Sequence, residues 1–164
     1  MTAQQFKSQK GFTLIELLVV IGILAILLAI TLIAINPARQ FGQANDTKRR
    51  SDATQILNAI SQYSASNAGN LPTEVAALTA NTVTVLNSTN FPQLCAQLVP
   101  TYLPALPVDP AGNNQAGIDT TGCAAGVAVP PTAWNTQYSI SKDANNRITV
   151  TAPNAYTPPI QVTR

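Results

Sequence analysis

The chain has 164 residues, of which 46% are hydrophobic and only 10% charged, with a formal charge of +2 and no histidine. That length suits one ordinary domain plus an appendage. The sparse charge argues against a cytosolic enzyme surface and against the basic stripe of a nucleic-acid binder, and the missing histidine removes the commonest general base and metal ligand.

Residues 1–11 are polar, with Lys7 and Lys10 as the only charges. Phe12 to Ile35 then reads FTLIELLVVIGILAILLAITLIAI, with Thr13, Glu16 and Thr31 as its only polar side chains. A bilayer core is crossed by about 20 apolar residues in helical form, so this run is long enough. Lipid offers the backbone no hydrogen-bond partner, which makes the run a helix despite its β-branched residues. It exceeds the apolar stretch of an ordinary secretory signal, contains a carboxylate, and is closed by no A-x-A-like site. A plain signal anchor is the nearer rival.

Pro37 lacks an amide hydrogen and crowds the preceding turn, so a break is predicted at Asn36-Pro37, with Asn36 capping a second helix that opens on Pro37. In that helix Ala53, Ile56, Leu57, Ile60 and Tyr63 recur at helical spacing and define an apolar face. Asp46, Lys48, Arg49, Arg50 and Asp52 form a charged cluster just before it. Asn67-Ala68-Gly69-Asn70-Leu71-Pro72 is a stop signal, placing the helix end near Ser66.

Residues 72–136 are rich in Pro, Gly, Asn and Thr. A short strand is predicted over 82–86 and a short helix over 91–99, capped by Asn90 with Pro92 in its first turn; the rest is expected to be irregular. Cys95 and Cys123 are the only thiols. In an exported domain such a pair reads as one disulfide, the rival being two unrelated buried thiols. The bond would staple a domain whose own core is modest. Strands are predicted over 137–141, 147–152 and 160–163, with Lys142 to Asn146 as a hairpin turn.

The constellation that carries function is Lys10-Gly11-Phe12-Thr13-Leu14-Ile15-Glu16, set directly before the apolar run. A basic segment ends in a small residue that leaves a peptide bond accessible. An aromatic residue opens the membrane segment, and a carboxylate sits one turn inside it. An ionisable group in a membrane helix costs several kcal/mol unless it is paired or reaches water. Glu16 is therefore either interfacial and snorkelling, or waiting for a positive partner. Cleavage after Gly11 would create one, an α-ammonium on Phe12, better met across subunits than within one chain.

In this order and beside this run, K-G-F-T-L-I-E-L-L-V-V-I resembles the leader and N-terminal helix of type IV pilins and pseudopilins. The resemblance is close over residues 10–35 and looser over 36–66; Leu103 to Pro110 and the last strands are similar to segments of some pilins and major pseudopilins. It implies an α+β pilin fold, a long N-terminal helix packed on a small C-terminal antiparallel sheet. The parts would be a leader peptide (1–11), a transmembrane and filament-core helix (12–35), an amphipathic second half (36–66) and an extracytoplasmic domain (67–164). A prepilin peptidase would cut between Gly11 and Phe12 and methylate the Phe12 amine. Glu16, with Thr13 beside it, would steer docking. An ATPase-driven platform would lift subunits from membrane lipid into a filament of identical or related subunits. Two departures stand out: Ile33 occupies a position where many pilins have proline, and Ala25 one where a second glycine is common.

Arg39, Lys48, Arg49 and Arg50 follow the apolar run and outnumber Lys7 and Lys10 before it. Long following domains translocate largely regardless of charge, so the N-terminus is expected in the cytoplasm. Lys48, Arg49 and Arg50 are candidates for contact with neighbouring subunits, a solvated helix face being the rival. Asp109, Asp119 and Asp143 match no calcium-loop spacing and suit turns and caps better than a cation site. No cofactor or specific nucleic acid is expected, with calcium on those acids as the weaker alternative. Asn45-Asp46-Thr47 and Asn87-Ser88-Thr89 fit the glycosylation triplet, a common pattern in an Asn- and Thr-rich chain. Trp134 and Tyr138 read as packing residues. The competing functions are a pseudopilin of a type II secretion or DNA-uptake system, a signal-anchored surface domain that binds a ligand, and last a surface enzyme.

Overall fold

A computed structural model describes residues 11–112, 117–124 and 134–164. The predicted leader up to Lys10, including Lys7, lies outside the described residues. The chain divides into two compact units, Met1–Gln40 and Phe41–Arg164.

In the first unit, α1 spans Leu14–Ile35, and none of its residues is buried against the rest of the chain. It starts two residues later than Phe12, because Thr13 takes extended backbone angles and caps it. Asn36 ends it in the left-handed region (φ 47°, ψ 78°), a conformation asparagine tolerates better than most residues. Asn36 also serves the next helix, α2 (Pro37–Ser66): its carbonyl and its side chain both accept from the Arg39 amide, at 3.1 and 3.4 Å. The predicted break and cap thus fall on one residue acting on two helices.

The second unit is α+β. From Phe41 onward α2 packs against a four-stranded antiparallel sheet of order β1-β2-β3-β4, formed by β1 (Thr84–Asn87), β2 (Asn135–Lys142), β3 (Ile148–Ala152) and β4 (Ile160–Thr163). Ala53, Ile56, Leu57 and Ile60 of α2 share one buried cluster with Tyr138, Ile140, Val150 and Ile160 of the sheet. Strand β3 alternates buried and half-buried residues, the period-two pattern of a strand with one covered face. Pairing of β1 with β2 is irregular: Val85 faces Ser139 while Asn87 faces Asn135. The extra residues are taken up at Gln137, whose φ is 63°, and the Thr136 hydroxyl donates to the Leu86 carbonyl across the bulge.

Between α2 and β2 the chain forms three short helices, α3 (Thr73–Ala76) before β1 and α4 (Leu94–Leu98) and α5 (Thr120–Ala124) after it, where mostly irregular chain is expected from sequence. The predicted helix over 91–99 shortens to α4. Asn90 does not cap it, because its side chain donates instead to the Val85 carbonyl. The Glu74 carboxylate, from α3, takes the amides of Gln93 and Leu94, both at 2.9 Å. Cys95 and Cys123 are disulfide-bonded and join α4 to α5, whose first turn is closed by Asp119 accepting from Thr121 and Gly122. The turn after β2 is closed by Asp143, which accepts from the amides of Asn145 and Arg147.

Candidate functional site

The N-terminal segment has a defined local structure. The Thr13 hydroxyl accepts from the Glu16 amide at 3.3 Å, while the Glu16 carboxylate accepts from the Thr13 amide at 2.8 Å and the Thr13 hydroxyl at 2.7 Å. This is a reciprocal capping box, T-x-x-E, which satisfies two of the amides that a helix start leaves open. The T-x-x-E spacing is present in the sequence, so Glu16 is a capping residue as well as a carboxylate at the start of an apolar run. Thr31, the other polar side chain of the run, donates its hydroxyl to the Leu28 carbonyl. All three polar side chains of the apolar run therefore have partners within the helix.

Phe12 is 91% exposed, and a Cβ placed on Gly11 would meet nothing within 4 Å. Packing among the described residues therefore makes no demand for glycine at that position. Every large apolar side chain of α1 is exposed, from Leu14 to Ile35. Among the described residues α1 is the one helix long and apolar enough to cross a membrane. Twenty-two helical residues rise by about 33 Å at 1.5 Å each, against a hydrocarbon thickness of about 30 Å.

The charged cluster in α2 is not a uniform basic surface. Arg49 lies inside the globular unit, its side chain only 4% exposed. It donates from Nε and Nη2 to the two carboxylate oxygens of Asp109, at 2.7 and 2.9 Å, and from Nη1 to Asp46 at 3.0 Å. Its candidacy as a subunit contact is corrected on that ground: a side chain 4% exposed and held on two carboxylates offers a neighbour almost no surface. Lys48 pairs with Asp52 at 2.6 Å, and Asp52 also accepts from the Tyr138 hydroxyl at 2.9 Å. Arg50 is exposed.

Asp46 reaches further, accepting from the amides of Tyr156 and Thr157 at 2.8 Å each. The loop before β4 is thereby tied to α2. Burial pushes the Asp46 carboxyl up, but those amides and the Arg49 guanidinium outweigh it and hold it below the usual carboxylate range. Burial likewise opposes ionisation of Asp109, and Arg49, the Ala111 amide and Lys48 together lower it on balance. Asp109 is thus more than a turn residue, although its Ala111 contact is a turn bond. Burial, then the hydrogen bond and charge of Asp52, push the Tyr138 hydroxyl well above its ordinary value.

The signal for this network was helical spacing. Asp46, Arg49, Asp52 and Ala53 lie on the same buried stripe as Ile56, Leu57 and Ile60. The apolar periodicity starts at Ala53, whereas the buried face starts at Asp46.

Asp109, Asp119 and Asp143 are occupied separately, by Arg49, by the start of α5 and by the turn after β2. Among the described residues no three His, Cys, Asp or Glu side chains gather in a metal-binding group. Trp134 and Tyr138 both belong to the core.

A family model described as the prokaryotic N-terminal methylation motif matches residues 6–32, which include Gly11, Phe12, Thr13 and Glu16. No curated protein and no solved structure matches the chain. The chain therefore carries the type IV pilin and pseudopilin signature at its N-terminus, followed by an α+β unit. The motif, the apolar helix and the disulfide fit a pilin-like or pseudopilin-like protein, a structural class that is processed by prepilin peptidase and polymerises. They also fit a membrane-anchored precursor of a surface filament.

Proposed function

We propose that this chain is the structural subunit of a type IV pilus-like filament. It enters the membrane with its N-terminus in the cytoplasm, is cut after Gly11, is methylated on the Phe12 amine, and polymerises through α1. The observation that carries the reading is the motif, with Gly11-Phe12 just before a helix and Glu16 in its first turn, on a helix whose large apolar side chains are all exposed. Such a surface is stable only in lipid or against other apolar helices. Exchange of one for the other lets a subunit leave the bilayer without wetting the helix.

The capping box gives Glu16 a place to wait. In the lone subunit its carboxylate is occupied by Thr13. In the filament a neighbour's Phe12 ammonium would replace the Thr13 hydroxyl as the stronger, charge-assisted partner. Glycine at position 11 answers a demand from outside the subunit, which suits recognition by a peptidase.

The test is expression beside a prepilin peptidase and assembly machinery, with filament yield measured by shearing. Gly11→Val should leave the precursor uncut. Glu16→Ala should be cut normally yet yield few or no filaments, and Glu16→Gln should recover little because it keeps the capping hydrogen bond but not the charge. Full filament yield from Glu16→Ala would refute the role given to that carboxylate.

A further inference from the structure

Two Asn-x-Thr triplets, Asn45-Asp46-Thr47 and Asn87-Ser88-Thr89, lie in the globular unit, and the fold presents them in different ways. We propose that Asn87 is an acceptor of an N-linked glycan and that Asn45 is not. The inference rests on the proposed function only in requiring that the globular unit be exported. The disulfide between Cys95 and Cys123 independently suits an oxidising compartment.

Glycan transfer to asparagine makes two demands. The carboxamide nitrogen must be reachable as the nucleophile, and the hydroxyl two residues on must be free for the transferase to read. Acceptor triplets therefore sit in surface loops of exported proteins. Asn45 lies inside α2, next to buried Asp46. The Thr47 hydroxyl is spent on the Gln43 carbonyl one turn back, at 3.0 Å. Side chains two apart on a helix do not face each other, so this backbone cannot offer Asn45 and Thr47 together.

Asn87 is the last residue of β1, and Ser88 to Asn90 form the turn that follows. Asn87 closes that turn itself. Its carbonyl accepts from the Phe91 amide at 2.9 Å, and its side-chain Oδ1 accepts from the Asn90 amide at 2.8 Å. The Ser88 amide is held on the Trp134 carbonyl at 3.0 Å. The carboxamide oxygen is thus fixed, while Nδ2 makes no hydrogen bond among the described residues. The buried side-chain polar atoms without a partner belong to Gln97 and Trp134, so Nδ2 of Asn87 lies open to water. Thr89 is exposed, and its hydroxyl has no partner among the described residues. Both groups that the transfer needs are therefore free on one surface turn. The site also has a use: β1 is an edge of the sheet, and Val83 and Val85 are 65% and 39% exposed. An apolar edge invites pairing with other chains, and a bulky hydrophilic group at its end obstructs that pairing.

The donor is a glycan carried on a lipid-linked pyrophosphate. Asn87 Nδ2 attacks the anomeric carbon, and the new C–N bond forms as the C–O bond to pyrophosphate breaks. The pyrophosphate leaves with the electron pair, and the amide proton passes to a carboxylate of the transferase. No oxidant or reductant is consumed.

The experiment is peptide mass mapping of the full chain recovered from its native cells. Trypsin places the two triplets on separate peptides, 40–48 and 51–142. Peptide 51–142 should carry a glycan mass and peptide 40–48 none. Asn87→Gln and Thr89→Ala should each remove that mass, while Thr47→Ala should leave it unchanged. Thr89→Ala carries the test if Asn87→Gln does not fold, because the Thr89 side chain supports no contact of its own. A glycan mass that survives Thr89→Ala would belong to another residue of the peptide and overturn the assignment, as would a glycan on peptide 40–48. An unmodified Asn87 in protein whose Cys95 and Cys123 are disulfide-bonded would overturn the acceptor site alone. An unmodified Asn87 with both thiols free would overturn export of the globular unit with it.

Discussion

Arg49 spends three donors on two carboxylates inside the globular unit, and its removal would leave both of them buried without a counter-charge. Breaking such a pair from one side costs about 3–5 kcal/mol. Arg49→Met should lower the unfolding free energy by that order in a denaturant titration. Arg49→Lys should recover only part, because an ammonium cannot match the two-pronged contact with Asp109. Arg50→Ala, on the exposed side of the same turn, should change stability by no more than about 0.5 kcal/mol. A similar loss in both Arg49→Met and Arg50→Ala would contradict the assignment. The acids set a pH limb. Asp46 and Asp109 are held below their ordinary range, so their stabilisation is complete above about pH 4 and is lost as pH falls through their folded values. Asp109→Asn should be less stable at neutral pH and should flatten that acid limb. Tyr138 has the opposite sign: its value is raised, so its contribution holds below about pH 10 and fades above it.

At the scale of elements, helices were more legible than strands and caps. The end of α2 at Ser66 follows from Asn67 to Pro72, a local stop. The break at Asn36-Pro37 follows from proline chemistry alone. Strand β1 lies two residues later at its start than the pattern indicates, and β2 is longer, because a bulge at Gln137 interrupts the alternation that defines a strand. The start of α4 could not be read locally, since its cap is Glu74, about twenty residues earlier. The capping box on α1 is legible in the sequence as T-x-x-E at Thr13 and Glu16. The disulfide was read from cysteine count and compartment, and it joins α4 to α5. With a sequence separation of 28, the chain-entropy model assigns it about 3–4 kcal/mol. Chemical denaturation under reducing conditions, or of Cys95→Ser/Cys123→Ser, should show a loss of that order. An unchanged midpoint would mean that the reduced chain keeps the loop closed by other contacts.

At the scale of the molecule, two units make opposite demands on solvent. The first presents unbroken apolar surface along α1, while the second buries Ile56, Tyr138 and Val150 and shows polar side chains outside. A chain lacking residues 1–35 should stay in solution without detergent, whereas the full chain should sediment or require detergent; ultracentrifugation compares them. The division was visible in the sequence because hydrophobicity is concentrated in one block. What the block does was visible only through Gly11, Phe12 and Glu16, since an anchor and a filament core share the same composition. The polar network binding the loop at Tyr156 to α2 was not visible, because its members lie up to 111 positions apart.

Mass spectrometry of intact protein sheared from the cell surface addresses the central claim most directly. The account predicts a chain that begins at Phe12 with one added methyl group and retains a single disulfide. Protein found only in the membrane fraction, still beginning at Met1, would contradict both the processing and the polymerisation.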